Sequence, residues 1–284
     1  LAAVVFPVAP EIFSAMDIPT YVIAGEPLMG LEDSTGYIDE ADRMGLASGI
    51  CTLLRENVSL VEQGLVPIPT VLVSTTHPCD SVNIAYQTIG ALKDWRKVPK
   101  FGVDGPYLTD ERALDYYTDE IKRLVSFLEE QTGHRLDNDR LREVIEESNK
   151  QIELWWEYKE LRRAVPTPHT PEVQMMPYFV FHFWQPGDPR GTAWFKELVA
   201  DAEERVRTKK GAIPNEKIRV VWFDFRGNWR FELGFWMEQE WGAIVVDDIW
   251  SHCTMPKIDT SSYESMIRGV AERSLDHIPM YRQF

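Results

Sequence analysis

Cysteine is scarce in this sequence: only Cys51, Cys79 and Cys253 occur among 284 residues. The number is odd and no secretory segment precedes them, so we expect no disulfide framework and a reducing, cytoplasmic location. The chain starts at Leu1 without a Met or a basic segment, which is typical of a trimmed chain rather than a signal peptide. Each thiol is therefore a candidate metal ligand, a candidate nucleophile or a small core residue.

The sequence also lacks long apolar runs, a surplus of basic residues and the common catalytic motifs. No apolar run approaches the ~20 residues of a membrane helix, so we expect no membrane partner. The net charge is −15 and no basic patch is present, which argues against nucleic-acid binding. The motifs G-x-G-x-x-G, G-x-x-x-x-G-K-[ST], G-x-S-x-G, H-E-x-x-H and C-x-x-C are absent. Their absence argues against nucleotide-hydrolysing domains, serine hydrolases and simple zinc sites.

The stretch from Val71 to Asp80 carries the clearest structural signal. Its β-branched start is typical of a strand buried on both faces, and the apolar spacing after Cys79 predicts a helix. Cys79 is thus predicted at the carboxyl end of a strand and at a helix N-terminus. Open α/β sheets bind ligands at such places, and the helix dipole favours a thiolate there. Cys51 begins another predicted helix, which ends near Glu62.

Alternating short strands and helices predict an α/β protein made of βαβ units with parallel sheets. We expect two flavodoxin- or Rossmann-like domains, at residues 1–110 and 171–284, joined by a helical segment and linker at 111–170. The proline-rich segment Pro166–Pro171 is the predicted boundary. Residues 171–284 supply only two predicted strands, Ile218–Phe225 and Ala243–Val246. The second domain is therefore expected to be incomplete at its C-terminus.

Two thiolates that converge from separate loops suit a soft metal or an iron–sulfur cluster. Cys253, next to His252, is a candidate third ligand, although a plain loop cysteine near a pocket is the simpler interpretation. Four side chains at predicted strand ends are candidates for lining a catalytic cleft: Glu26, His77, Asp247 and His252. In the alternative interpretation, Cys51 and Cys79 are small buried hydrophobic residues and Asp247 is a helix cap.

Several segments, taken together and in order, resemble the 2-hydroxyacyl-CoA dehydratase and class I benzoyl-CoA reductase family. Ser48–Arg55 is similar to the family's helix start, a Cys-Thr pair followed by two hydrophobic residues and a basic one. Ser74–Asp80, followed by Ser81, is similar to its second cysteine motif, and Pro10–Pro19 resembles its N-terminal unit. Three further segments are similar to benzoyl-CoA reductase B-type subunits: Arg190–Ala193, Gly211–Arg219 and Trp241–Val246. The similarity extends over nearly the whole chain.

The resemblance implies flavodoxin-like domains, a heterodimer with a homologous second subunit, and a [4Fe–4S] cluster bound by three cysteines in a cleft between domains. It also implies an acyl-CoA substrate and a separate ATP-dependent iron–sulfur activator protein. Transfer of one electron at very low potential leads to dehydration of a 2-hydroxyacyl-CoA in the dehydratases and to ring reduction in the reductases. On this resemblance, Cys51 and Cys79 are cluster ligands, and the protein holds the cluster, excludes water and tunes its potential.

Two features depart from the family pattern. The family's third cysteine usually lies in a more C-terminal segment, so the third ligand here is either Cys253 or a residue outside this sequence. In many dehydratase subunits the loop after the second strand carries a serine near the substrate, where this chain has Ala24–Pro27. Two alternatives therefore stay open: a cluster-free structural subunit, and an electron-transfer cluster protein of the family that does not act on CoA esters.

Overall fold

A computed structural model describes residues 1–23, 35–77, 79–108, 110–223 and 231–276 of the chain. The chain divides into two compact units. The first comprises Leu1–Leu141 and Val270–Ser274, and the second comprises Arg142–Gly269 and the chain from Leu275 onward. The predicted boundary segment Pro166–Pro171 lies within the second unit. No helix among the described residues is both long and apolar enough to cross a membrane.

The first unit is built on a parallel sheet. Its strands are β1 (Ala2–Val4), β2 (Thr20–Val22), β3 (Val71–Thr75) and β4 (Lys100–Val103). They lie in the order β2-β1-β3-β4, and every neighbouring pair is parallel. β1 and β3 are buried at every position, as uninterrupted apolar and β-branched strands require in a sheet that is covered on both faces. The predicted α/β class with parallel strands is therefore confirmed.

Helices follow the strands of this unit in the alternation that the sequence predicts. They are α1 (Pro10–Ala15), α2 (Thr35–Arg43), α3 (Thr52–Glu62), α4 (Asp80–Ala91) and α5 (Glu111–Thr132). The ends of α5 illustrate how local sequence sets a helix. The Asp110 carboxylate accepts a hydrogen bond from the Ala113 N–H at 2.8 Å, and Gly133 ends the helix with a φ of 75°.

A buried ion pair joins α1 to a helix from the far end of the chain, α10 (Tyr263–Asp276). Arg273 Nη1 donates to Glu11 Oε1 at 2.7 Å, and the two side chains are 2% and 1% exposed. One residue further along, the Ser274 hydroxyl accepts a hydrogen bond from the Ala9 N–H at 3.0 Å. Because both charges are removed from water, each depends on the other for its solvation. This contact makes residues 270–274 part of the first unit.

The second unit is mainly helical. Its elements are α6 (Asn138–Leu161), α7 (Pro171–Phe179), α8 (Pro189–Thr208), β5 (Ile218–Val221), α9 (Phe231–Trp236) and β6 (Ala243–Asp247). α7 continues as a π-helix over Val180–Trp184, and α9 continues as a π-helix over Met237–Trp241. β5 and β6 pair in parallel, with a register shift between Val220 and Val221. β5 thus ends before the predicted Phe225, and residues 224–230 lie outside the described residues.

An aromatic cluster forms part of the core of this second unit. The Trp155 ring of α6 lies 6.3 Å from the Phe181 ring and 6.3 Å from the Phe195 ring of α8, measured between ring centroids. All three side chains are almost completely buried. Tilted aromatic contacts of this kind add to the stabilisation from buried apolar area. Part of the high tryptophan content is thus accounted for by packing within the unit.

Candidate functional site

The carboxyl end of β3 is the point around which the first candidate site is built. The strand order β2-β1-β3-β4 reverses direction between β1 and β3, which makes this pair the topological switch point of the sheet. Ligands of open α/β proteins bind in the crevice at such a point, beyond the carboxyl ends of the strands. Cys79 follows β3 and is the N-cap residue of α4. The position predicted for Cys79 from the sequence is therefore confirmed.

Cys51 occupies the equivalent position on α3, as the N-cap residue of that helix. Its backbone N–H donates a hydrogen bond to the Ser81 hydroxyl in the first turn of α4, with an N–O distance of 3.2 Å. This bond brings the N-termini of α3 and α4 together, and neither cysteine side chain is used in a capping hydrogen bond. Cys51 is exposed and Cys79 is half-buried. The structure thus brings together the two thiols that the sequence analysis selected.

The ionisation of Cys79 differs from the sequence expectation. Burial raises the pKa of the Cys79 thiol, and the nearby Cys51 and Asp80 raise it further. Backbone N–H groups of Val82 and Ser81 act in the opposite direction but do not compensate. The expectation that the helix N-terminus leaves Cys79 more acidic is therefore wrong for the metal-free protein, because desolvation of the thiolate outweighs the helix N–H groups.

The loop between β3 and Cys79 is held by the neighbouring loop after β4. The Thr76 hydroxyl donates to Asp104 Oδ1 at 2.9 Å and accepts from the Gly105 N–H at 2.9 Å. The Tyr116 hydroxyl donates to the other oxygen of Asp104 at 2.7 Å. Because Asp104 is anchored in this way by α5, the residues leading into Cys79 have a fixed path.

His77, a predicted cleft residue, is buried within this loop. Its ring centroid lies 6.1 Å from that of Tyr107, and burial lowers the pKa of His77 to about 4. Gly105 packs directly against it: a Cβ atom at Gly105 would lie 2.5 Å from the Cβ of His77. The imidazole of His77 is therefore neutral at physiological pH. Glu26, the other predicted cleft residue of this unit, lies outside the described residues.

One residue at this site was not singled out from the sequence. Arg55 lies one helical turn after Cys51, is almost completely buried, and forms an ion pair with Asp42 of α2. Its Nε is buried with no hydrogen-bond partner among the described residues. The basic position of the Cys51 motif was visible in the sequence, but its pairing with α2 depends on how two helices pack.

The second group of predicted residues meets at the carboxyl end of β6, in the second unit. Asp247 Oδ2 lies 2.8 Å from His252 Nδ1, and its Oδ1 accepts a hydrogen bond from Arg162 at 2.5 Å. Burial by itself raises the pKa of Asp247, but the His252 hydrogen bond and the Arg162 charge outweigh it and lower the pKa. Asp247 therefore stays ionised and orients the half-exposed imidazole of His252, an arrangement suited to proton transfer.

Arg162 is the residue of this group that the sequence analysis missed. Its guanidinium is 2% exposed and also donates to the Ser251 carbonyl at 2.8 Å and to the Val246 carbonyl at 3.0 Å. It comes from the end of α6, and Asp247 lies 85 positions away in the chain. No local pattern relates the two residues, so only the packing of α6 against the β6 loop identifies Arg162.

Asp248 and Cys253 occupy structural positions in the same loop. Asp248 is buried and its Oδ1 accepts hydrogen bonds from the Trp250 and Ser251 N–H groups at 3.0 and 2.9 Å. It therefore caps a turn, the role that the sequence analysis weighed for this acidic pair. Cys253 is buried, and its carbonyl accepts a hydrogen bond from Lys159 at 3.2 Å. Its role as a third cluster ligand stays a prediction.

Comparison with protein families identifies the chain. A model of the family "2-hydroxyglutaryl-CoA dehydratase, D-component" matches residues 6–284. The chain belongs to this family. The predicted resemblance is thereby confirmed over nearly the entire sequence.

Curated members and relatives of the dehydratase family are similar to the chain at low identity. The (R)-phenyllactyl-CoA dehydratase alpha subunit of Clostridium sporogenes is 21% identical over 68% of this chain and 49% of its own length. The (R)-2-hydroxyisocaproyl-CoA dehydratase alpha subunit of Clostridioides difficile is 20% identical, over 85% and 62%. The benzoyl-CoA reductase B-type subunit of Thauera aromatica is 25% identical, over 76% and 54%. The chain thus spans about half to three-fifths of the length of these relatives.

The cysteines of the first unit fit part of the donor set that the family resemblance implies. An iron–sulfur cluster requires thiolate ligands, and Cys51 and Cys79 place two sulfur donors at adjacent helix N-termini. Within the described ranges, no group of three or more His, Cys, Asp or Glu side chains is arranged to hold a metal ion. The described residues therefore offer two neighbouring thiols of the three that the resemblance implies.

Proposed function

We propose that this chain binds a [4Fe–4S] cluster through Cys51 and Cys79, as a subunit of an enzyme acting on an acyl-CoA thioester. The observation that carries the proposal is the meeting of the two cysteine N-caps through the Cys51–Ser81 hydrogen bond. The three relatives support the substrate class, since all of them are named as subunits of CoA-ester dehydratases or of benzoyl-CoA reductase. Dehydration and ring reduction are both compatible with the proposal.

The residues around the cysteines have defined tasks in this proposal. When bound, the cluster supplies an electron at low potential to the thioester substrate. The N–H groups of Ser81 and Val82 favour the thiolate form of Cys79, the form that ligates metal. Partial burial of Cys79 limits water at this position, which raises the cost of charge and so influences the potential. Thr76 and Asp104 hold the loop so that Cys79 stays in place.

The remaining parts of the assembly are also proposals. Because the relatives are named as alpha or B-type subunits, we expect a homologous partner subunit in a heterodimer, together with a separate ATP-dependent iron–sulfur activator and a cytoplasmic location. Cys253 is the candidate third ligand within this chain. Four residues stay candidates for lining a catalytic cleft: Glu26, His77, Asp247 and His252.

A second candidate function is a structural subunit that holds no cluster. The raised pKa of Cys79 favours it, because buried thiols with high pKa values are typical of inert core cysteines. The two functions differ in their iron content, so the same measurement separates them.

The deciding experiment is anaerobic iron and sulfide analysis combined with visible absorption and EPR of the dithionite-reduced protein. We expect about four irons per chain and loss of the cluster spectrum in Cys51→Ser and in Cys79→Ser. Ser48→Ala, which alters an exposed neighbour of Cys51, is the matched control and is expected to keep the spectrum. Iron-free protein, or an unchanged spectrum in both cysteine variants, contradicts the proposal.

A further inference from the structure

A groove in the second unit lies apart from the residues discussed so far. It encloses about 470 Å³ between the chain around residue 165 and the loop that follows α8. Its lining combines an apolar side, a pair of lysines and an amide: Val165, Pro166, Pro214, Lys209, Lys210 and Asn215. This volume is within the range of small-molecule sites, which typically pair apolar walls with a few polar groups.

The two segments that form the groove are held together at close range. Gly211 lies so near Pro166 that a Cβ atom at position 211 would be 2.6 Å from the Pro166 Cβ. The Ala212 N–H also donates a hydrogen bond to the Thr167 carbonyl at 2.8 Å. Glycine at position 211 therefore permits the approach, and the backbone bond fixes it. The groove is a built feature of the unit rather than a gap between loose loops.

Lys209 and Lys210 contribute two positive charges to this groove. Both side chains are exposed, and among the described residues neither has a carboxylate partner. The arginines that precede them are paired instead: Arg205 with Asp201, and Arg207 with Glu204. In a chain with a net charge of −15, an uncompensated lysine pair is a local site for an anion.

The backbone at Lys209 is unusual for a lysine. Its φ of 55° lies in the left-handed region, at the helix end where glycine or asparagine is the common residue. The Lys209 N–H donates to the Val206 carbonyl at 3.2 Å, and the Lys210 N–H donates to the Arg205 carbonyl at 2.8 Å. These bonds occupy carbonyl groups at the negative end of α8, which reduces their repulsion of an anion.

The carboxylate in the groove is also compensated. The Glu216 side chain is 3% exposed, and its Oε1 accepts a hydrogen bond from Arg219 Nη1 at 2.6 Å. Its Oε2 accepts from the Thr167 N–H, also at 2.6 Å. With both oxygens engaged and the charge paired, Glu216 does not cancel the field of the two lysines. The groove therefore presents net positive charge beside apolar side chains.

We infer that this groove binds the phosphorylated nucleotide end of a coenzyme A ester. Lys209 and Lys210 contact the phosphates, while Val165 and Pro214 provide apolar surface for the adenine. Lysine is a common phosphate ligand, acting as a compact point charge. The inference rests on the proposed function for the choice of CoA; the chemistry by itself is that of a phosphorylated adenine nucleotide. It places the recognition of the CoA end away from the cysteine loop in sequence, on an element of its own.

The test is calorimetric titration of the full-length protein with CoA, ADP and pantetheine. We expect CoA to bind, ADP to bind more weakly, and the double variant Lys209→Gly/Lys210→Gln to weaken CoA binding by about tenfold or more. Because glycine suits the left-handed backbone at position 209, this variant is expected to fold with unchanged or increased thermal stability. Pantetheine has no phosphate, so its affinity is expected to be insensitive to the variant.

A matched control removes the same charge elsewhere. Lys93→Gln/Lys97→Gln alters two exposed lysines of the first unit and is expected to change CoA affinity by less than about twofold. Added salt is expected to weaken CoA binding more steeply in the wild type than in the groove variant. Three results overturn the inference: no binding of CoA, equal CoA affinity in the groove variant and wild type, or ADP binding as tight as that of CoA.

The same samples separate this inference from the proposed function. Iron and sulfide content reports on Cys51 and Cys79, whereas the titration reports on the groove. A groove variant with full cluster content and wild-type CoA affinity removes the groove and leaves the cluster function intact. Iron-free protein that binds CoA through the lysines has the opposite meaning.

Discussion

The backbone N–H of Cys51 donates a hydrogen bond to the hydroxyl of Ser81 at 3.2 Å, across 30 positions of sequence. This bond connects the first residues of two helices whose caps are both cysteines. The relative position of the two thiols therefore depends on a serine that is itself no metal ligand. Ser81 belongs to the second cysteine motif, which gives that motif a positioning residue as well as a ligand.

Replacing Ser81 tests this positioning role. We expect Ser81→Ala to lower the free energy of unfolding by only about 0.5–1.5 kcal/mol, the usual net worth of one hydrogen bond. We also expect reduced iron content, or a shifted cluster EPR signal, at normal protein yield. Ser126→Ala, which removes a local hydroxyl contact on exposed α5, is the control. Equal iron content and identical spectra in the two variants would argue against the positioning role.

Gly105 permits the close packing of the loop that leads to Cys79. A Cβ at this position would lie 2.5 Å from the His77 Cβ, so Gly105→Ala must displace the loop. We expect a loss of about 1–3 kcal/mol in the free energy of unfolding, as for other overpacked sites, together with weaker cluster retention. The measurement is urea unfolding followed by iron analysis. Gly49→Ala, with no atom within 4 Å of its Cβ, is expected to leave both values unchanged.

Asp247 is expected to make stability depend on pH in the acid range. Burial raises the pKa of Asp247, but the His252 hydrogen bond and Arg162 more than compensate and lower it in the folded protein. The unfolded value is about 3.9, so the stabilisation is complete above that pH and is lost as the pH falls through the folded-state pKa. Asp247→Asn is expected to cost about 1–3 kcal/mol at neutral pH, because Arg162 stays buried.

Urea unfolding at a series of pH values measures this effect. The wild type and Asp247→Asn are expected to converge in stability as the pH falls below about 4, since both then lack the carboxylate. Asp94→Asn, a change at an exposed aspartate, controls for the loss of one charge. A constant difference between wild type and Asp247→Asn over the whole pH series would contradict the assignment.

The buried pair Glu11–Arg273 is expected to behave as a unit. Glu11→Gln or Arg273→Met alone leaves one charge without its partner and is expected to cost about 3–5 kcal/mol. The double variant Glu11→Leu/Arg273→Met is expected to be more stable than either single variant, because no charge then stays buried. A double-mutant cycle by urea unfolding gives the coupling free energy. Additive losses would indicate that the two side chains do not depend on each other.

Local sequence determined the elements and much of the candidate site. The β-branched run at Val71 predicts β3, the proline and small residues that follow predict its end, and the apolar spacing after Cys79 predicts α4, all as observed. The convergence of Asp247 and His252 also follows from five positions of spacing after a strand. These inferences succeed because periodicity and helix starts act over a few residues.

Tertiary structure decided which side chains complete the sites and what their surroundings do to them. Arg162 reaches Asp247 across 85 positions, Ser81 reaches Cys51 across 30, and Arg273 reaches Glu11 across 262. Burial then reverses the acidity that the helix N-terminus predicts for Cys79. Such pairings and desolvation depend on which surfaces pack together. Patterns along the chain carry no record of that packing, because it is settled by the whole fold at once.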